Sequence, residues 1–315
     1  MSRSRRASRE QASPETLREK RIWTAGRGGA GTGWLLAFSL FGYALVTVAT
    51  RYGLVRAFGA LFEAWGIDAA NVHRAPAWAR ALYVWHGSLA TLAFAGLSLI
   101  LAKGLRRLWR LEGPLLGAPS ARLWKASLAG LLASALVAAL CLLPDSMRLE
   151  WPLSAPRFSR TLPAMAAVSL LSTIAGEAFG KRVLYEGLRQ RWSAPWATAV
   201  VCAVFWLTEG GPGAGVVGGV NALLLGLAGC LLYDRYGFWT SVGFRWSWGF
   251  ANAFLLGFGG GDAAVYRLYS VSEALMTGGD AGPMCGLWAT LLLAVMILVL
   301  IKGWHNMARE RRAHA

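Results

Sequence analysis

The fold of this chain is decided by the stretch LPAMAAVSLLSTIAGEAFGKRVLYEGLRQRW, which spans residues 162–192. Its first fifteen residues carry no charge, and Glu177, Lys181 and Arg182 then follow within six positions. A charged side chain inside or beside a membrane span is costly, and such residues are usually functional. The stretch therefore predicts a membrane helix with ionisable groups at its end, and these groups are candidates for a functional site.

The composition of the whole chain predicts an all-α fold, a polytopic membrane bundle of about eight transmembrane helices. The 315 residues are 56% hydrophobic and only 15% charged, whereas a soluble chain carries about 25% charge. About 20 apolar residues cross a hydrocarbon core about 30 Å thick. The segments that meet this requirement, or come close to it, are 34–50, 79–102, 123–143, 162–176, 195–208, 213–232, 238–258 and 286–301.

The distribution of Lys and Arg predicts the orientation of these spans. With the N-terminus inside, the inner segments hold 23 of the 32 Lys and Arg residues and the outer segments hold eight. The remaining one, Arg245, lies within a span. Inner loops of membrane proteins carry this excess of positive charge. The pattern predicts a protein of the cell (inner or plasma) membrane, with basic cytoplasmic tails at 1–30 and 304–315.

The net charge of +16 has a simple explanation in this topology. A basic inner face is attracted to anionic lipid, so membrane lipid is an expected partner. Nothing in the sequence resembles a nucleic-acid reader, and no nucleic-acid partner is expected. The four cysteines fall in or beside apolar spans without a CxxC spacing, which predicts neither a disulfide framework nor a thiolate metal site. We interpret all four, including Cys230, as small hydrophobic residues.

Four consecutive segments of residues 159–284 form a recognisable set. They are VLYEGLRQRW at 183–192, a segment that contains Phe205, the glycine-rich segment 213–229 and the segment 239–250. Together they resemble the core of the CPBP (CAAX protease and bacteriocin-processing) family of intramembrane proteases. In this comparison VLYEGLRQRW sets the register of the first motif, Phe205 belongs to the second, and 239–250 carries the third. This division predicts three N-terminal spans in 31–158 and a CPBP-like core in 159–303.

The residues at the family's catalytic positions are altered. The first motif has two adjacent glutamates with an arginine four positions after the second, the second motif ends in histidine, and the third has histidine followed by Asn or Asp. The matching residues here are Gly176 and Glu177 for the two glutamates, Lys181 for the arginine, Glu209 and Arg245 for the two histidines, and Gly249 for the Asn or Asp. A one-residue shift would place Arg182 on the arginine, but the helix that follows then fits less well.

The resemblance implies a candidate catalytic site of Glu177, Lys181, Glu209 and Arg245. In the family the glutamate is thought to activate water, and the histidines with the Asn or Asp bind or polarise the groups around it. The chain's four histidines all lie outside the motifs, so we expect no metal and no cofactor. Glu177 and Lys181 are four apart and can pair on a helix, and we expect Glu186 and Arg189 to form an ordinary helix-surface pair. We also expect Glu209 and Arg245 to form a buried ion pair in place of the two imidazoles.

Two functions follow from the resemblance. The first is a catalytically degenerate pseudoprotease that binds or scaffolds membrane proteins or lipidated peptides. The second is an active glutamic-type intramembrane endopeptidase that uses Glu177 and Glu209. A small-solute transporter is a third class, but the sequence lacks paired Gly/Pro-broken helices in two related halves.

The charge asymmetry generates a topology prediction. Reporter fusions after residues 150, 190, 270 and 315 should report outside, inside, outside and inside, because inner loops retain Lys and Arg. A pair of reporters, such as alkaline phosphatase and a fluorescent protein, shows on which side of the membrane each fusion point lies. A C-terminus outside the cell would contradict the assignment.

Overall fold

The computed structural model describes residues 29–68, 70–143, 147–150, 158–209, 215–257, 266–270, 274–279 and 282–313. Most of these residues are helical, and strand is confined in this part of the chain to two segments of four residues. The all-α class is confirmed. The basic tail at 1–28 and most of the loop at 258–273 lie outside the described residues.

The described elements alternate long helices with short connections. The α-helices are α1 Gly29–Thr47, α2 Val55–Ala64, α3 Ala77–Leu108, α4 Arg122–Leu142, α5 Phe158–Glu177, α6 Glu186–Arg189, α7 Ala194–Glu209, α8 Gly215–Tyr236, α9 Phe238–Phe250, α10 Ala274–Thr277 and α11 Leu287–Ala313. Three segments are π-helical, Val48–Leu54, Ala178–Tyr185 and Ala251–Leu255, and Val72–Arg74 and Pro283–Cys285 form 3₁₀ turns. The strands β1 Met147–Glu150 and β2 Arg267–Ser270 pair antiparallel, with Met147 opposite Ser270.

The helix lengths establish a membrane protein. Five helices are long and apolar enough to cross a membrane, Gly31–Ala64, Ala77–Leu108, Arg122–Leu142, Thr161–Arg189 and Gly215–Tyr236. Two shorter apolar helices, Ala194–Thr208 and Leu287–Lys302, match the fifth and eighth predicted spans. The seventh predicted span is α9 with its π-helical continuation. The count of eight spans stays a prediction.

Helix α9 lies at the centre of the bundle, where it packs against α4, α5 and α8. Its closest approach is to α4, at points where each helix carries a glycine. A Cβ on Gly130 would lie 2.6 Å from the carbonyl oxygen of Phe244. A Cβ on Gly243 would overlap the carbonyl oxygen of Leu123. Small residues let membrane helices approach closely, and close packing is what holds such helices together in lipid.

The N-terminal helices pack onto the rest of the bundle. Helix α3 contacts α5 and the π-helical segment that follows it, and α4 contacts α9. In α1, the ring of Tyr43 stacks on Phe179 with 4.0 Å between the ring centroids. At the end of α3, the indole of Trp109 is 1% exposed, and its Nε1 donates to Ser39. These contacts join helices of the predicted 31–158 region to the segment that carries the candidate site.

The glycine contacts between α4 and α9 generate a stability prediction. Gly130→Ala and Gly243→Ala should each destabilise the protein, because the added methyl group must push two helices apart. Overpacking of a close-packed core costs about 1–3 kcal/mol. Thermal unfolding in one detergent or lipid nanodisc measures the effect.

Gly96→Ala in α3 is the matched control, because no heavy atom lies within 4 Å of a Cβ built there. Its melting temperature should equal or slightly exceed that of the parent, since alanine favours a helix more than glycine does. Equal melting temperatures for all three variants would contradict the proposed close contact.

Candidate functional site

The candidate site begins where α5 changes from α-helical to π-helical geometry. Glu177 is the last residue of α5, and Lys181 lies inside the π-helical segment Ala178–Tyr185. Both side chains are buried, at 2% and 1% exposure. A π-helical turn within an α-helix is uncommon and is frequently found at functional sites. The stretch singled out in the sequence is therefore unusual both in charge and in backbone.

The carboxylate of Glu177 is held by two donors from α9. The guanidinium of Arg245 donates to Oε1 at 3.1 Å, and the hydroxyl of Ser241 donates to Oε2. Ser241 and Arg245 are four residues apart on one face of α9, so a single helix supplies both donors. The guanidinium also lies over the ring of Phe205, 3.8 Å from its centroid. Phe205 lies on α7, so residues from α5, α7 and α9 meet at this site.

A small cavity of about 30 Å³ adjoins this ion pair. By volume it holds about two water molecules. It is lined by Tyr43, Gly176, Glu177, Phe179, Gly180, Lys181, Val201, Val204, Phe205, Thr208 and Arg245. The cavity is too small for a peptide segment, so in this conformation the carboxylate is reached by solvent-sized molecules at most.

The predicted pair between Glu177 and Lys181 is wrong. Four ion pairs occur among the described residues, and the one made by Glu177 is with Arg245. Lys181 instead directs Nζ towards α8, 3.4 Å from the carbonyl oxygen of Gly226 and 3.2 Å from Sγ of Cys230. The prediction considered only the local partner at i+4. That spacing still allows a pair in this segment, since Arg182 binds Glu186 at 2.8 Å. For Glu177 the contact with Arg245 on α9 takes its place.

The partner that we expected for Arg245 was Glu209, and the structure places Arg245 on Glu177. Glu209 ends α7, and its side chain lies outside the described residues. Arg182, the alternative match to the motif arginine, points away from Glu177 and binds Glu186 at 2.8 Å. The structure thus brings together Glu177, Lys181 and Arg245 of the four predicted site residues.

A second polar network lies one turn beyond the site. Glu186 binds Arg106 at 2.8 Å and accepts a hydrogen bond from Tyr233 as well as from Arg182. We expected Glu186 to pair with Arg189, and this is wrong, because Arg189 binds Asp234 at 2.5 Å. Arg106 is 5% exposed and also donates to carbonyl oxygens of the loop that follows α3.

Several residues of these networks were missed by the sequence analysis. Ser241 carried a usable signal, because it precedes Arg245 by one helical turn. Arg106 and Asp234 carried none, since their partners are far away in the sequence. Cys230 was interpreted as a small hydrophobic residue, but its thiol contacts the ammonium of Lys181.

The described residues include no group of three His, Cys, Asp or Glu side chains that could hold a metal ion. Comparison of the chain with protein-family models, curated proteins and solved structures found no match. What the site can do chemically follows from its own residues. A carboxylate that accepts from a guanidinium and a hydroxyl is fixed in place, and the guanidinium has donors only and cannot act as a base or metal ligand.

The buried ion pair generates a prediction about stability. Arg245→Met should lower the melting temperature strongly, because it removes the guanidinium that contacts the buried carboxylate of Glu177. Breaking a buried pair costs about 3–5 kcal/mol in soluble proteins. Glu177→Gln should also destabilise, and the double variant Glu177→Gln with Arg245→Met should recover part of the loss.

Arg107→Met is the control for the loss of an arginine, because Arg107 is exposed at the end of α3. Its melting temperature should stay close to that of the parent. Additive losses in the double variant would contradict the pair, since uncoupled residues show no interaction energy in such a cycle.

Proposed function

We propose that this protein is a catalytically degenerate, CPBP-like integral membrane protein that binds or scaffolds membrane proteins or lipidated peptides. The observation that supports this proposal most directly is the ion pair between Glu177 and Arg245. The residue that matches a catalytic histidine of the family is an arginine, and it neutralises the residue that matches the catalytic glutamate. In the proposed site, an ion pair that stabilises the fold stands where the family has groups that carry out hydrolysis.

The chemistry of hydrolysis supports this reading of the ion pair. A general base must accept a proton from water while a neighbouring group stabilises the oxyanion. In the structure both oxygens of Glu177 already accept hydrogen bonds from α9, at Ser241 and Arg245. A guanidinium neither accepts a proton nor coordinates a metal, so it cannot replace an imidazole in either role.

The proposal includes the topology predicted from the charges. Seven apolar helices and α9 with its π-helical continuation Ala251–Leu255 make eight spans, with both termini in the cytoplasm of a cell whose inner or plasma membrane holds the protein. In this arrangement Glu177 and Arg245 form their pair within the apolar layer. A partner would bind through lipid-facing helix surfaces, because the internal cavity of about 30 Å³ is too small for one.

One observation favours the alternative of an active glutamic-type endopeptidase. The cavity beside Glu177 has room for about two water molecules, and its lining also includes the motif residues Phe205 and Arg245. Water beside a buried carboxylate is a requirement of hydrolysis. The two proposals differ in whether Arg245 leaves Glu177 during a reaction cycle.

Proteolysis assays separate the two functions. The purified protein in lipid nanodiscs should not cleave a panel of transmembrane and lipidated peptides, because its carboxylate is neutralised by Arg245. Mass spectrometry of the peptides measures cleavage. An active CPBP protease, prepared in the same way, serves as the positive control.

Glu177→Gln is the matched variant for any background activity. Cleavage that remains in Glu177→Gln comes from a contaminating protease. Cleavage by the parent that disappears in Glu177→Gln would refute the pseudoprotease and establish the endopeptidase.

A further inference from the structure

Lys181 is a buried cation whose ammonium touches no carboxylate among the described residues, although the charge of Glu177 acts on it from a longer distance. Its side chain is 1% exposed, and among the described residues no ion pair includes it. Its Nζ contacts the carbonyl oxygen of Gly226 at 3.4 Å and Sγ of Cys230 at 3.2 Å. A charge removed from water is strongly unfavourable unless a counter-ion compensates it. Of these two contacts, only the thiol of Cys230 can supply a negative charge, by losing its proton.

A second thiol lies beside the first. Cys202 on α7 packs against Gly226, which lies one helical turn before Cys230 on α8. Gly226 permits this approach, because a Cβ at that position would lie 3.2 Å from Cα of Cys202 and 3.4 Å from its Sγ. Two thiols and one ammonium group therefore share a single site between α7, α8 and the π-helical segment.

We propose that Cys230 and Cys202 form a peroxide-sensitive thiol pair that Lys181 activates. The thiol of Cys230 gives up its proton, and the resulting thiolate attacks one oxygen of hydrogen peroxide. The O–O bond breaks, and the leaving hydroxide takes up that proton to become water. Cys230 is then a sulfenic acid. The thiol of Cys202 attacks this sulfur, the S–O bond breaks, and hydroxide leaves with the thiol's proton as a second water. Two thiols are oxidised to one disulfide, and one peroxide is reduced to two waters.

The burial of the two thiols determines which oxidants can reach them. Cys230 is 1% exposed and Cys202 is 8% exposed, so a bulky or charged reagent such as glutathione does not reach them. Hydrogen peroxide is small and uncharged. The neighbouring cavity of about 30 Å³ is lined by Lys181 and by Val201, the residue before Cys202. A molecule the size of peroxide fits this cavity.

Another buried cysteine, Cys141, serves as a control for the effect of burial on thiol reactivity. Cys141 on α4 is 0% exposed and lies in an apolar cluster with Val137, Leu232 and Trp248. Burial alone would give Cys141 and Cys230 the same reactivity. Only the thiolate reacts with peroxide, so the ammonium of Lys181 should make Cys230 the faster of the two.

The experiment treats the full-length protein in lipid nanodiscs with hydrogen peroxide and follows each cysteine by peptide mass spectrometry. We expect a disulfide between Cys202 and Cys230, seen as the loss of two hydrogens, to form at least about tenfold faster than oxidation of Cys141. In Cys202→Ser, Cys230 should stop at the sulfenic acid, which gains one oxygen and reacts with a sulfenic-acid probe.

Lys181→Met should slow oxidation of Cys230 to the rate of Cys141, and Lys181→Arg should retain most of the acceleration. Equal rates for Cys230 and Cys141 in the parent protein would overturn the proposal, and that comparison does not need a variant to fold. Unchanged oxidation of Cys230 in folded Lys181→Met would also overturn it. The outcome is independent of whether the protein cleaves peptides, because no step uses Glu177 or Arg245.

Discussion

The ion pair between Glu177 and Arg245 is the interaction on which the interior of this membrane bundle depends. Each partner alone would be a charge in an apolar layer, and together they satisfy one another with help from Ser241. The pair fixes α5 to α9, and α9 in turn packs against α4 and α8. Removing one partner would therefore disturb the element at the centre of the bundle.

The same pair limits the chemistry of the site. The family resemblance places a water-activating carboxylate at Glu177 and an imidazole at Arg245. An imidazole can exchange protons and bind a metal, whereas a guanidinium can only donate hydrogen bonds. Under the proposed function, an arginine in place of this imidazole replaces a reactive pair of groups by a stable ion pair between α5 and α9.

The π-helical segment Ala178–Tyr185 divides the polar groups of one helix among different neighbours. Glu177 faces α9, Lys181 faces Cys230 on α8, and Arg182 joins Glu186 and Arg106. Glu177 and Lys181 are four residues apart, yet their side chains contact different helices. The neutralised carboxylate and the cation at the thiol pair therefore form two chemically different sites that lie close together.

The sequence was sufficient for the class of fold and for the location of the site. The long apolar segments predicted a helical membrane protein. The ionisable side chains in or beside those segments predicted Glu177, Lys181 and Arg245 as site residues, and the structure brings these three together. The pairing among them could not be predicted, because the i,i+4 rule considers only local partners and Arg245 reaches Glu177 from another helix. Helix α9 was predicted as a span although Arg245 interrupts it, and the number of spans depends on how such short or charged helices are counted.

Ion pairs between residues far apart in the sequence could not be predicted either. Arg106 and Glu186 are 80 residues apart, and Arg189 and Asp234 are 45 apart. A local pair between Glu186 and Arg189 was the natural expectation for a helix surface. The structure overrides it because tertiary packing brings α3 and α8 to the same end of α5, where each arginine finds a different carboxylate.

Solid-state NMR tests the central contact most directly. A ¹⁵N–¹³C dipolar recoupling experiment on the protein in lipid, with labelled arginine guanidinium and glutamate carboxyl groups, detects each pair in contact. The Glu177–Arg245 pair predicts one correlation that disappears both in Glu177→Gln and in Arg245→Met, while the correlations of Glu186 remain. A spectrum in which neither substitution removes a correlation would contradict the account.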